Sequence, residues 1–529
     1  MRIAKCKSAN QPALCTLHFS LFTSHCPPLL AWLAGMAVSA LTLAPMPGGN
    51  AAWGQAPASG LEAAAALESV LVETIARGER SVVAIARVRR ERPGEAWNTE
   101  VRPDPFGGRR VLPALLPKPG DPDFMPNEYA TGVVVDRAGL VLTVYHVLGE
   151  ESDYYVTAHD GKTFRAKIVG ADPRSDLAVL APEDNALART GTPDWAPIAL
   201  GDGAGLRKGQ IVVALGNPFG IARDGQASAS WGIIANTGRK ASPTPDETDL
   251  LGKPTIHHFG TLVQTDAKLN LGTSGGPLLN LRGEMVGLGT SLAAAPGYEQ
   301  AAGYAIPVDK TFRRALDALK QGREVEYGFL GIQLGLPEPE ELARGLQGAR
   351  VERVLPGLPA ARRAMRPGDL ITSVNGAAIR DSDGLVREVG KLPVDSVVRL
   401  VVLRGQRRLD LDVELTKYRV RGKKIVSSPA PDWRGMRVDY ATAIYDLYTP
   451  GFGGSPVLGE TVAVAEVEKG TPAWEAGLRS GMLISHVGRS AVRTPRQFQQ
   501  AVAGKTGPVD VRLATQSGET PVRTIPAGS

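Results

Sequence analysis

Three short stretches of the chain carry side chains that could together perform acyl transfer. Gln264 to Leu279 reads QTDAKLNLGTSGGPLL, placing Ser274 between Gly272 and the pair Gly275-Gly276. A serine hydroxyl attacks a carbonyl when a base takes its proton, a third group orients that base, and backbone N–H groups face the developing oxyanion. Glycines around the serine permit the cramped backbone that turns consecutive N–H groups inward. Taken alone, the loop reads equally as a Gly-rich turn with a solvent-facing serine. His146 closes the run Gly132–Val147 (GVVVDRAGLVLTVYHV), two apolar strands joined at a turn, and Asp176 opens the apolar stretch Leu177–Leu180. Each alone would be a structural histidine or a strand cap. In the order His, Asp, Ser, each at a strand end, they are read as base (His146), orienting carboxylate (Asp176) and nucleophile (Ser274), with the N–H groups of Gly272 and Ser274 as the oxyanion hole.

That chain order is the one of chymotrypsin-like double β-barrels rather than of subtilisins or α/β-hydrolases. The elements that would position the three groups follow from pattern. Residues 130–180 supply a first barrel, with Ser81–Val88 as its entering strand, and residues 211–307 a second. Leu61–Arg77 is Ala-rich with apolar residues at helical spacing, and Gly78 is placed to end it. Arg89–Asn127 is rich in Pro, Gly and Arg and reads as a long loop. Gly238–Gly260 reads as an inserted loop. Its adjacent His257 and His258 point in different directions along an extended chain and lack accompanying Cys or carboxylate ligands, so no metal is expected, and no cofactor.

The carboxy-terminal part is a duplication. Val354–Ala360 recurs as Val467–Ala473 and Met365–Ile371 as Leu478–Ile484, both at an offset of 113 (467 − 354 and 478 − 365). The pattern resembles PDZ domains, which bind peptide carboxy termini by strand addition and backbone N–H groups. Phe329-Leu330-Gly331-Ile332 is read as the carboxylate loop of the first copy, its alternative being a buried strand start. The second copy departs more, with Met482 replacing Asp369 and Tyr445–Gly459 interrupting its start, so a role in assembly competes with peptide binding.

In these strings the chain resembles the HtrA/Deg family of envelope serine proteases, whose usual forms TNxHV, DLAVL, QTDAxINxGNSGGP and GxAIP correspond here to TVYHV, DLAVL, QTDAKLNLGTSGGP and GYAIP. The departures are Val144 and Tyr145 before the histidine and Thr273 before the serine. Digestive relatives of the fold place an Asp before the serine to receive a new amino terminus. Thr273 cannot form that ion pair, which argues against activation by amino-terminal cleavage. The resemblance implies a mainly β chain: a chymotrypsin-like double-barrel protease at 57–322, a PDZ domain at 325–417, a linker at 418–434 and a PDZ-like α+β domain at 435–529. It further implies an ATP-independent endopeptidase acting on misfolded or partly unfolded envelope proteins, peptide carboxy termini at the first PDZ domain, and a homo-oligomer, a trimer or multiples of one. A dedicated processing protease and a catalytically silent PDZ scaffold are the alternatives.

Composition fits this reading. At 529 residues the chain exceeds what one core supports. Its 61 glycines and 40 prolines suit many turns and short strands. Residues 1–56 read as an export signal: basic Arg2, Lys5 and Lys7, the apolar run Leu29–Ala44, then small residues before a cleavage point after Ala52 or Ala56. An uncleaved anchor is the alternative, against which the run is short for a span. All three cysteines lie in this segment. Without it, 57 basic residues face 54 acidic ones, a balance too small to call for a polyanion, and no nucleic-acid signature is visible.

Overall fold

The computed structural model describes residues 60–90, 128–217, 225–241, 255–290, 302–447, 456–515 and 519–528. The expected export segment, nearly all of the Arg89–Asn127 loop, the middle of the Gly238–Gly260 insertion and most of the Tyr445–Gly459 interruption lie outside these residues.

Strands β1 (Val82–Arg89), β2 (Glu128–Val134), β3 (Val141–Val144), β4 (Ser152–Ala158), β5 (Thr163–Asp172) and β6 (Leu177–Pro182) pair antiparallel in the order β5-β4-β1-β2-β3-β6. Pairing of β5 with β6 closes the sheet into a barrel. A second closed barrel runs β10-β11-β12-β9-β8-β7, from β7 (Ile211–Gly216), β8 (Ser228–Arg239), β9 (Leu262–Thr265), β10 (Pro277–Leu279), β11 (Met285–Thr290) and β12 (Gly303–Pro307). The short apolar runs of β3 and β6 are buried along most of their length because one face fills the barrel and the other meets neighbouring elements. A single apolar core runs from Val133, Leu142 and Leu180 through Leu215, Leu279 and Leu288 to Phe312 and Leu316 of the helix Lys310–Lys320. The barrels are therefore fixed against each other, which a site assembled from both requires.

The amino-terminal helix Gly60–Glu79 lies on the second barrel: the Thr74 hydroxyl donates to the Leu281 carbonyl (3.0 Å), and Gly78 rests on Leu279 and Leu215. Among the described residues no helix is long and apolar enough to cross a membrane.

Two further sheets share one plan. Ile332–Gly335, Ala349–Val354, Leu370–Val374, Val397–Arg404 and Arg407–Glu414 neighbour one another in that order, and Met436–Tyr440, Val462–Val467, Leu483–Val487, Val509–Ala514 and Val522–Ile525 repeat it. In both, the third strand carries a short side pairing and a helix covers the sheet, Ser382–Gly390 in one and Pro495–Val502 in the other. The segment between them, the expected linker, also pairs with the protease. Ile425–Val426 pairs antiparallel with Ala171 and Gly170 of β5, extending the first barrel's sheet. The apolar pair sits inside a basic, Pro-containing stretch, and the edge of β5 offers it backbone partners. Beside it, the buried Lys417 ammonium contacts Glu324, Glu326 and Asp439, tying the protease exit to both following sheets.

Candidate active site

His146 lies in the short turn Tyr145–Val147 that follows β3, and Asp176 ends the turn between β5 and β6. The Tyr145 N–H donates to the Asp176 carbonyl (2.9 Å), so the two turns are laced together before any side chain is considered. His146 Nδ1 lies 2.9 Å from Asp176 Oδ2 and 3.1 Å from Oδ1, and the His146 N–H donates to Oδ1 (3.0 Å). Thr290 of β11 donates its hydroxyl to Asp176 Oδ2 (3.2 Å), which brings the second barrel onto the carboxylate. Asp176 is 1% exposed. Such a carboxylate, fed by several donors, fixes the ring orientation and the tautomer with the proton on Nδ1. Burial pushes the His146 imidazole down, but the Asp176 charge and hydrogen bond, with Glu128, outweigh it and leave the imidazole above its ordinary range.

Ser274 belongs to the loop between β9 and β10. Thr131 of β2 secures that loop twice, its N–H donating to the Ser274 carbonyl (2.9 Å) and its hydroxyl to the Gly272 carbonyl (2.7 Å). The same hydroxyl accepts the Asn217 N–H (2.9 Å). Gly275 donates to the Gly289 carbonyl (2.8 Å), one residue from Thr290, so the serine loop borders the imidazole–carboxylate pair. Gly275 has φ +87°, and a Cβ there would lie 2.1 Å from the Thr131 carbonyl oxygen. Only glycine allows this approach. Thr273 is buried and donates its hydroxyl back to the Asn270 carbonyl (2.6 Å), fixing the loop locally. Among the described residues, neither the Gly272 nor the Ser274 N–H is spent on another protein group.

His257 and His258 are buried in a short turn, Ile256–Phe259. His257 uses both ring nitrogens on protein partners, Nδ1 with the Thr261 hydroxyl (2.6 Å) and Nε2 with the Ser175 carbonyl (2.9 Å), next to Asp176. Burial lowers its pKa, keeping it neutral. Sequence reasoning missed Thr131, Thr290 and His257 as supports of the site, since each depends on a long-range hydrogen bond that no local spacing announces.

Beside the first of the two repeated sheets, Phe329, Leu330 and Ile332 line a cavity of about 450 Å³ together with Leu385 and Val389 of the helix Ser382–Gly390. Gly331 between them has φ +78°, and its carbonyl accepts the Leu355 N–H (2.9 Å). Arg174, Tyr418 and Leu447 also border the cavity, placing protease and second-repeat residues at its rim.

Double barrel and site define a trypsin-like serine endopeptidase. Residues 130–288 match the trypsin-like peptidase domain and residues 328–415 the PDZ domain. A probable periplasmic serine endoprotease DegP-like of Brucella suis is 30% identical over 431 residues, 80% of this chain and 77% of that one. The periplasmic serine endoprotease DegP of Escherichia coli is 30% identical over 398 residues, 74% of this chain and 75% of that one. A solved HtrA-type protease, AlgW with decapeptide, is 25% identical and covers 65% of this chain and 98% of that one at a TM-score of 0.46. The chain belongs to the HtrA/Deg family of serine endoproteases and is itself a periplasmic serine endopeptidase.

Because the neutral imidazole is the form that can accept a proton, kcat/KM should rise with pH through an inflection above the ordinary imidazole value of about 6.5. Initial rates on a chromogenic peptide from pH 5 to 9 measure this. A profile flat across that range, with chemistry limiting, would remove the imidazole from the role of base.

Proposed function

We propose that this endopeptidase cleaves misfolded or partly unfolded proteins of the cell envelope, with His146 taking the Ser274 proton and returning it to the leaving amine. Asp176 supports the imidazolium, and the N–H groups of Gly272 and Ser274 hold the oxyanion. The observation that carries the reading is the convergence on one carboxylate of donors from both barrels, His146 and Thr290, beside a serine loop buckled to β2. Residues 57–322 form the protease unit, 325–417 the peptide-binding PDZ unit and 435–529 its partner, and the protein works as a homo-oligomer. An extended, accessible backbone is what such a site can engage, so unfolded chains are favoured over folded ones.

Phe329-Leu330-Gly331-Ile332 is the carboxylate loop in this reading, supported by the apolar cavity at its edge. A peptide with an apolar free carboxy terminus should bind there and raise proteolytic activity, with a coupling of about 1–3 kcal/mol typical of such effects. Amidating that terminus should weaken binding. Calorimetry and cleavage rates with both peptides decide it: equal affinities would defeat the loop assignment, and tight binding without a rate change would leave a substrate tether.

A further inference from the structure

Asp176 adopts φ +54°, a left-handed conformation that a non-glycine residue holds only when its surroundings impose it. The imposing contacts fall on Ser175. Its carbonyl accepts His257 Nε2 (2.9 Å), while its N–H (2.9 Å) and hydroxyl (2.6 Å) both donate to Oδ2 of Asp172. That same oxygen receives the hydroxyl of Tyr327, which lies beyond the protease helix and directly before Gly328–Phe329, where the PDZ carboxylate loop begins. The Tyr327 ring is fully buried, with the guanidinium groups of Arg174 (5.1 Å) and Arg314 (5.8 Å) over it. Asp172 Oδ1 and Arg174 Nε and Nη1 are buried without a hydrogen-bond partner among the described residues. A buried carboxylate is costly unless held by donors, so this one is committed to the three it has.

The same turn and the one carrying His146 meet the segment that follows the first PDZ sheet. Tyr145, the residue before His146, donates its hydroxyl to the Lys423 carbonyl (3.1 Å), Gly422 packs on Pro173, and Arg174 stacks on Tyr418 at 3.9 Å. Both turns that carry the imidazole and its carboxylate are thus gripped by chain that follows the protease. We propose that Asp172 and Tyr327 are positioning residues for peptide-bond hydrolysis: the Tyr327 hydroxyl locks the Asp172 carboxylate onto Ser175, and this lock sets the backbone that aims Asp176 at His146. The inference rests on the triad reading above.

The test uses the full-length protein, since Tyr327, Tyr418 and Ile425–Val426 would be lost from an excised barrel pair. Tyr327→Phe keeps the ring and its two stacked cations and removes only the hydroxyl. It should lower kcat about tenfold while KM for a chromogenic peptide stays within about twofold, because misplacing a catalytic group weakens the transition state and not ground-state binding. Asp172→Ala should lose more, and Asp172→Asn, whose amide oxygen can still accept from Ser175, should restore most of the rate. Asp172→Leu, which fills the same space without an acceptor, should fall with Asp172→Ala, and a rescue by Asn but not by Leu distinguishes positioning from general packing. Wild-type kcat in Tyr327→Phe overturns the proposal, as does a loss confined to KM, and should Asp172→Ala fail to fold, Tyr327→Phe alone decides. Asp176→Asn runs in parallel. If it retains full activity the triad reading itself falls, whereas an inactive Asp176→Asn beside an unaffected Tyr327→Phe removes only the lock.

Discussion

Ser274→Ala is expected to lose peptide-bond cleavage, with kcat falling by about six orders of magnitude as in enzymes whose triad acts as a unit. On the proposed triad the reaction loses its nucleophile, and neither His146 nor the proposed oxyanion donors can replace it. The fold should survive, because the serine loop is held through main-chain groups: the Thr131 N–H on the Ser274 carbonyl, the Thr131 hydroxyl on the Gly272 carbonyl and the Gly275 N–H on the Gly289 carbonyl. None of these uses the Ser274 side chain. The measurement is digestion of casein by purified wild type and variant at equal concentration, with circular dichroism and thermal melting to show that both are folded. Digestion by the variant at near the wild-type rate would end the assignment of Ser274, and a variant that fails to melt cooperatively would show that the hydroxyl has a structural role the hydrogen bonds do not reveal.

The candidate groups stand out in the sequence because each sits in a local signature: a strand end for His146, a strand start for Asp176, a glycine-flanked loop for Ser274. Local pattern also marked both barrels and the repeat, whose constant offset reappears as two sheets with one strand order. What could not be read were groups whose function depends on distant partners. Thr131 lies inside an ordinary apolar strand, and its importance is that two carbonyls of the serine loop arrive beside it. The Gly238–Gly260 insertion reads as a loop by its prolines, yet its end is a buried turn in which His257 holds the residue before Asp176. Basic residues and prolines mark 418–434 as a linker, and no local pattern announces that its Ile425 and Val426 extend a sheet edge. Tyr145 departs from the family's usual string, and its hydroxyl is spent on that same connection. Composition describes what a segment tolerates, and long-range pairing decides what it does.

Asp176→Asn is expected to keep the fold and lower kcat by about four orders of magnitude. The carboxylate accepts from the His146 N–H and Nδ1–H and from the Thr290 hydroxyl, so both its oxygens face donors. An amide of the same shape offers one acceptor and turns its NH₂ donors toward the remaining positions. If that NH₂ takes the Oδ2 position and faces Nδ1 and Thr290, the imidazole must place its proton on Nε2, where it can no longer accept the proton of Ser274. If it takes the Oδ1 position and faces the His146 N–H, the neutral amide still fails to support the imidazolium. Either way the effect exceeds the loss of one hydrogen bond, because the base is held in the wrong protonation form. The variant should also shift the pH profile. Burial alone pushes the His146 pKa down, and the Asp176 charge is the main influence raising it, so its removal should move the acid limb of kcat/KM to lower pH. Initial rates from pH 5 to 9 with wild type and variant read both effects together. A wild-type rate would exclude Asp176 as the orienting group, and a lowered rate with an unmoved acid limb would assign the raised imidazole to Glu128 instead.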